Sequence, residues 1–217
     1  MIRLRTFVPI DILTEAADMP PIQILTPPAM INHAYAKAAA DGAGKHYQQK
    51  NIDFSENQSD SEIITASSNV IRKFENSQNN PSGGYNKQRK LWFPHKSIEG
   101  GAPTIAYGHK MLSGENFSQG ITDDEAVDLL KKDVRKRLMD VRNKMKHFDT
   151  LPLPVKIAAL NAYYRGDLGP RTMDLLNQNK FSDAAREYLK HNEYRTTRNL
   201  GVKKRMEYNA AIFKSVA

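Results

Sequence analysis

There is no cysteine among the 217 residues, so disulfides, thiolate nucleophiles and cysteine-ligated zinc are excluded. The six histidines, at positions 33, 46, 95, 109, 147 and 191, form no His-x-x-x-His pair or other recognisable ligand spacing. No catalytic metal and no cofactor is expected. Long apolar runs are missing too. The opening stretch is interrupted by Arg5, Pro9 and Asp11, so no signal-peptide core is expected. Nowhere does an apolar run approach the roughly 20 residues needed to cross a bilayer. A protein of this kind that acted on a cell wall would depend on another agent for its delivery.

What is present is positive charge, unevenly spread. The chain carries 32 Lys/Arg against 24 Asp/Glu, a formal +8. Residues 1–65 hold five Lys/Arg and eight Asp/Glu, a net of −3, whereas the remainder holds 27 and 16, a net of +11. A basic body suits a polyanionic partner: nucleic acid, a membrane surface or an anionic cell wall. No helix-turn-helix, zinc finger or interleaved aromatic-basic pattern supports nucleic acid as that partner. The apolar fraction of 40% is that of a chain with a core.

Residues 1–65 read as an extension and linker rather than a domain. Pro9, Pro20, Pro21, Pro27 and Pro28 punctuate the start, and residues 47–62 are rich in Gln, Ser and Asn. From Ser67 the pattern changes. Ser67 or Ser68 is placed to cap a short helix with Val70, Ile71 and Phe74 on one face, ending near Glu75. Residues 81–108 alternate Gly/Pro turns with short apolar pieces, Leu91–Phe93 and Thr104–Tyr107, which predicts a small antiparallel sheet with long loops. Thr122-Asp123-Asp124-Glu125 is a capping box. After it Val127, Leu130, Val134, Leu138, Val141 and Met145 recur every three or four residues, which predicts one long amphipathic helix. Further helices are expected at 154–165, 172–178, 182–190 and 202–214. Helix, small sheet, then helices make an α+β domain over 66–217.

Glu75 is the first candidate for chemistry. At a helix C-terminus, unpaired carbonyls disfavour a negative charge, and a carboxyl that keeps its proton is what a general acid in glycoside cleavage requires. A solvated helix-end glutamate paired with Arg72 is the plainer reading of the same residue.

Phe74-Glu75-Asn76, a Gly-rich stretch and then Thr104-Ile105-Ala106-Tyr107-Gly108-His109 together resemble the signature of the phage T4-type lysozymes and endolysins. In that family a helix-end Glu precedes a hairpin bearing an Asp, and then Thr-Ile-Gly-x-Gly-His. The likeness continues through residues 121–126, 158–163, 166–169 and 181–185, and through Gly201-Val202-Lys203-Lys204-Arg205-Met206-Glu207 with Ile212-Phe213. It covers about residues 67–215, in the family's order. The resemblance implies a lysozyme-like fold, a small-sheet lobe joined by a long helix to a helical lobe. It also implies a muramidase that hydrolyses the β-1,4 bond between N-acetylmuramic acid and N-acetylglucosamine of bacterial peptidoglycan. Glu75 would be the general acid and Thr104 would help to hold the attacking water. His109 would be structural, and Asn161 and Tyr107 would lie at the substrate. One of Lys203, Lys204 and Arg205 would orient Glu75.

The departure lies between Glu75 and Thr104. The family's Asp stands six residues before the Thr, where this chain has Ile98. Glu99 is the sole carboxylate in that interval and is the candidate for the second catalytic group, with His95 as the alternative because a neutral imidazole also accepts a proton from water. An inverting hydrolase needs its two carboxyls roughly 6.5–9.5 Å apart. Trp92 and Phe93 are read as core residues before sugar-stacking ones. Two delivery routes fit a chain without a signal peptide: accumulation in the host cytoplasm until lysis, or carriage in the virion, with residues 1–65 docking to tail or baseplate proteins. The alternative reading is a structural virion protein whose lysozyme-like domain is weakly active or inactive. A lytic transglycosylase is the enzymatic variant.

Overall fold

A computed structural model of the chain describes residues 58–75, 78–80, 83–96 and 103–217. The expected extension, up to position 57, and the expected catalytic Glu99 both lie outside the described residues. All described residues fall within one unit, Lys50–Ala217.

The first described helix, α1 (Asp60–Phe74), begins seven residues before the expected Ser67. Its start is set by a capping box. The Ser59 side chain accepts from the Glu62 amide, and the Glu62 carboxylate accepts from the Ser59 amide at 2.8 Å. Ser67 and Ser68 are therefore not caps. They sit in mid-helix on the buried face with Ile63, Ile64 and Ile71, where small side chains let α1 pack closely on two other helices. The linker composition of 47–62 concealed this start, because a cap and its first turn are polar by nature.

Two short hairpins follow. In the first, β1 (Tyr85–Asn86) pairs antiparallel with β2 (Leu91–Trp92). In the second, β3 (Thr104–Ile105) pairs antiparallel with β4 (His109–Lys110). Among the described residues the expected single sheet is thus two two-stranded sheets, with isolated bridges at His95↔Thr104 and Trp92↔Ile121 tying in their neighbours. Trp92 is fully buried and donates from Nε1 to Asp123 at 3.0 Å.

The long helix α2 (Asp123–Lys144) opens on the Thr122–Glu125 capping box and buries Leu130, Val134, Leu138 and Val141, as the three-four spacing predicts. A short 3₁₀ turn (Phe148–Thr150) leads to α3 (Leu153–Arg165), which ends on Gly166 at φ +91°. A left-handed residue here lets the Gly166 amide close back on the Ala162 carbonyl at 3.1 Å. Helices α4 (Pro170–Asn177), α5 (Phe181–Tyr188), α6 (Asn192–Thr196) and α7 (Leu200–Ser215) complete the chain. The short α6 has no counterpart among the expected helices; its five residues bury nothing and leave no apolar period to read. α1 packs on α2 and α3, while α7 packs on α1, α3 and α5. The architecture is mixed helix and small antiparallel sheet, compatible with α+β. Among the described residues no helix is long and apolar enough to cross a membrane.

Candidate active site

Glu75 is the C-cap of α1. Its amide still bonds to the Ile71 carbonyl at 2.9 Å, but its own backbone is extended (φ −81°, ψ −153°), so the chain leaves the helix here. About a fifth of that side chain is exposed. Arg72, the expected partner, is engaged elsewhere: it bonds Asp123 at 2.5 Å and the Tyr107 hydroxyl at 2.8 Å.

The partner of Glu75 is Arg205 of α7, whose Nη1 donates to Glu75 Oε1 at 2.5 Å. Arg205 is 4% exposed, and each of its three guanidinium nitrogens donates a bond. Nε donates to Asn161 Oδ1 at 3.0 Å and Nη2 to the Asn161 carbonyl at 3.2 Å. Asn161 in turn donates to Asn209 at 2.7 Å, Asn209 to the Tyr188 hydroxyl at 3.1 Å, and Tyr188 to Asp167 at 2.7 Å. Burial pushes the Asp167 carboxyl up, only partly offset by the Tyr188 bond and the charges of Arg165 and Arg205. A planar guanidinium held at three positions is a fixed donor, so Glu75 is oriented by the helical core rather than by a mobile surface cation.

The other carboxylate oxygen faces the β3–β4 turn. Gly108, at φ +84°, lies so close that a Cβ there would stand 3.1 Å from Glu75 Oε2. The turn is pinned by Tyr164, whose hydroxyl donates to the Tyr107 carbonyl at 3.1 Å. Burial, and then the nearby Glu75 charge, push the Tyr164 phenol well above its ordinary value, so it remains a donor. At the start of β3, Thr104 is 7% exposed, and its Oγ1 lies 3.3 Å from His95 Nε2.

Of the residues expected at the site, Glu75 and Arg205 are in contact, and Thr104 is carried on the hairpin whose turn covers Glu75. Lys203 is half-buried and Lys204 exposed, and neither bonds Glu75. Asn161 and Tyr107 were expected at the substrate, yet both side chains are committed to the interior. Asn161 is fully buried and serves Arg205. Tyr107 is 4% exposed, donates to Asp123 at 2.6 Å, and packs against Trp92; burial and the Asp123 bond push its phenol up to about 12. His109 bridges Asp133 at 2.8 Å and Glu115 at 2.9 Å, a structural role.

The residues that sequence reasoning missed are Asn209, Tyr188, Asp167 and Tyr164. A signal existed for one of them: Arg205, Asn209 and Phe213 are spaced by four, so polar residues share the buried face of α7. Among the described residues no group of three or more His, Asp or Glu side chains is placed to hold a metal ion. Comparison with protein-family models and with curated proteins finds no match to this chain.

Proposed function

We propose that the protein is a peptidoglycan muramidase of the phage T4-lysozyme type, with a lysozyme-like fold, that hydrolyses the β-1,4 bond between N-acetylmuramic acid and N-acetylglucosamine. The observation that carries this reading is the Glu75 carboxyl clamped through Oε1 by a buried guanidinium, with Oε2 close to Gly108, where any side chain would crowd it. In its protonated form Glu75 accepts the Arg205 bond on one oxygen and carries the proton on the other. It delivers that proton to the departing glycosidic oxygen while a water, held with the help of the Thr104 hydroxyl, attacks the anomeric carbon from the opposite face. The net charge of +11 beyond residue 65 suits an anionic wall. Delivery in a virion, with residues 1–65 docked to tail or baseplate proteins, belongs to the same proposal.

The test is clearing of outer-membrane-permeabilised cells by the purified chain beside Glu75→Gln, which keeps shape and removes the acid. Clearing lost in the variant supports the assignment. Equal clearing by both removes Glu75 from the chemistry. No clearing by either folded protein, on walls from several hosts, favours a structural virion component. Mass analysis of the released muropeptides separates hydrolysis from transglycosylation, which leaves an anhydro sugar.

A further inference from the structure

We propose that His95 is the base of the hydrolytic step, taking the proton from the water that Thr104 holds. The proposal rests on the reading of Glu75 as general acid and gives the second role to His95, the alternative to Glu99.

The register brings the two residues together. His95 and Thr104 exchange both backbone bonds, His95 N–H to Thr104 O at 2.8 Å and Thr104 N–H to His95 O at 2.9 Å. Directly opposed residues in an antiparallel bridge project to the same side, and here Thr104 Oγ1 lies 3.3 Å from His95 Nε2. Thr104 and Gly108, which abuts Glu75, are four residues apart, so the chain between them spans at most about 14 Å and its turn shortens that further. The pair is therefore on the same small framework as the acid.

The ring is also set in the tautomer that a base needs. Its Nδ1 faces the Phe93 carbonyl at 3.5 Å, the long limit of a hydrogen bond. A carbonyl only accepts, so this contact suits the tautomer with its proton on Nδ1, which leaves the Nε2 lone pair toward Thr104. Gly84, at φ +79°, makes this approach possible: a Cβ at position 84 would stand 2.3 Å from the Phe93 oxygen and 2.8 Å from His95 Nδ1. Unlike His109, held between two carboxylates, His95 has no ion-pair partner among the described residues, and it is only half-buried. Its Nε2 and the Thr104 hydroxyl, 3.3 Å apart, are the pair that would share the water.

In the step, the water oxygen bonds to the anomeric carbon as the glycosidic C–O bond breaks. The Glu75 proton goes to the departing oxygen and a water proton goes to His95 Nε2. Solvent exchange then returns a proton to Glu75 and removes one from His95.

The test is steady-state hydrolysis of purified peptidoglycan by the full chain and by His95→Gln, His95→Asp and Glu75→Gln, with folding checked by circular dichroism. His95→Gln is expected to lower kcat about 100-fold or more with KM little changed. His95→Asp is expected to recover part of that loss, and to move the acid limb of the kcat profile to lower pH, because a carboxyl titrates below an imidazole. A purely structural histidine would produce neither recovery nor a moved limb. Should the variants fail to fold, the wild-type profile still decides: an acid limb in the imidazole range supports the proposal, and one in the carboxylate range overturns it. Near wild-type kcat in His95→Gln, with Glu75→Gln inactive, overturns it while leaving the acid assignment standing. Activity retained in Glu75→Gln, or absent from the wild type, removes both.

Discussion

Arg205 and Glu75 are 130 positions apart in the chain, yet the guanidinium of one donates to the carboxylate of the other at 2.5 Å. Arg205 is the point at which α7 meets the end of α1, and its Nε and Nη2 donate to Asn161. Removing it leaves a part-buried carboxylate and a buried amide without their donor. Arg205→Met is expected to lower unfolding stability by about 3 kcal/mol and to reduce wall clearing severely. Arg205→Lys keeps the charge but not the fork, and is expected to retain more stability than activity. Denaturant unfolding beside a clearing assay checks both; a fully active Arg205→Met would show that Glu75 needs no fixed donor.

Gly108 combines two constraints. Its φ of +84° is one that L side chains rarely adopt, and a Cβ there would press to 3.1 Å of Glu75 Oε2 and 4.0 Å of the Tyr164 hydroxyl. Gly108→Ala is expected to lower stability by about 1–2 kcal/mol and to reduce kcat about tenfold or more by filling the space before the acid. Ordinary kcat in a destabilised Gly108→Ala would mean that the glycine serves the turn alone.

His109 links hairpin to long helix. The Asp133 bond, opposed by burial and reinforced by Glu115, raises its imidazole to about 8 from 6.5. A raised folded-state value means that the stabilisation is complete below pH 6.5, and is lost as pH rises through 8. On the acid side it persists until its carboxylate partners are protonated, and Glu115 is held below its ordinary value by the Leu112 amide and by His109. The shift corresponds to about 2 kcal/mol. The stability difference between wild type and His109→Gln should therefore be largest near pH 5–6 and shrink by pH 9. A difference flat across that range would show that His109 is neutral in the folded protein.

Ser59 is the test of where α1 begins. Ser59→Ala removes the acceptor for the Glu62 amide and is expected to lower stability by about 1 kcal/mol. Ser67→Ala, at one of the two positions expected to be the cap, removes a buried hydroxyl that has no hydrogen-bond partner among the described residues, and is expected to be neutral or stabilising. The opposite ranking in thermal unfolding would move the helix start to Ser67.

Local chemistry carried much of the secondary structure. The α2 helix was readable because a capping box precedes a stripe of apolar residues, and both are short-range patterns. Glu75 at the end of α1 and Thr104 on a strand were readable for the same reason, since an apolar face and a Gly-rich boundary mark them. The start of α1 was misplaced because residues 47–62 read as a polar linker, and only the burial of Ile63 and Ile64 shows that the helix already runs there.

The site's wiring was not local. Which of Lys203, Lys204 and Arg205 reaches Glu75 depends on the face α7 presents to α1 and α3, a packing outcome that puts Arg205 inside while Lys204 stays in solvent. Tyr107 and Asn161 carry polar groups suited to a ligand, yet Asp123 and Arg205 claimed those groups, because a buried donor or acceptor must find its partner within the protein. The sequence by itself determined the elements and the kinds of side chain on them. Tertiary packing alone decided which polar groups are spent on one another and that Arg205 is the one to reach Glu75, because that choice is made by distance in three dimensions rather than by spacing along the chain.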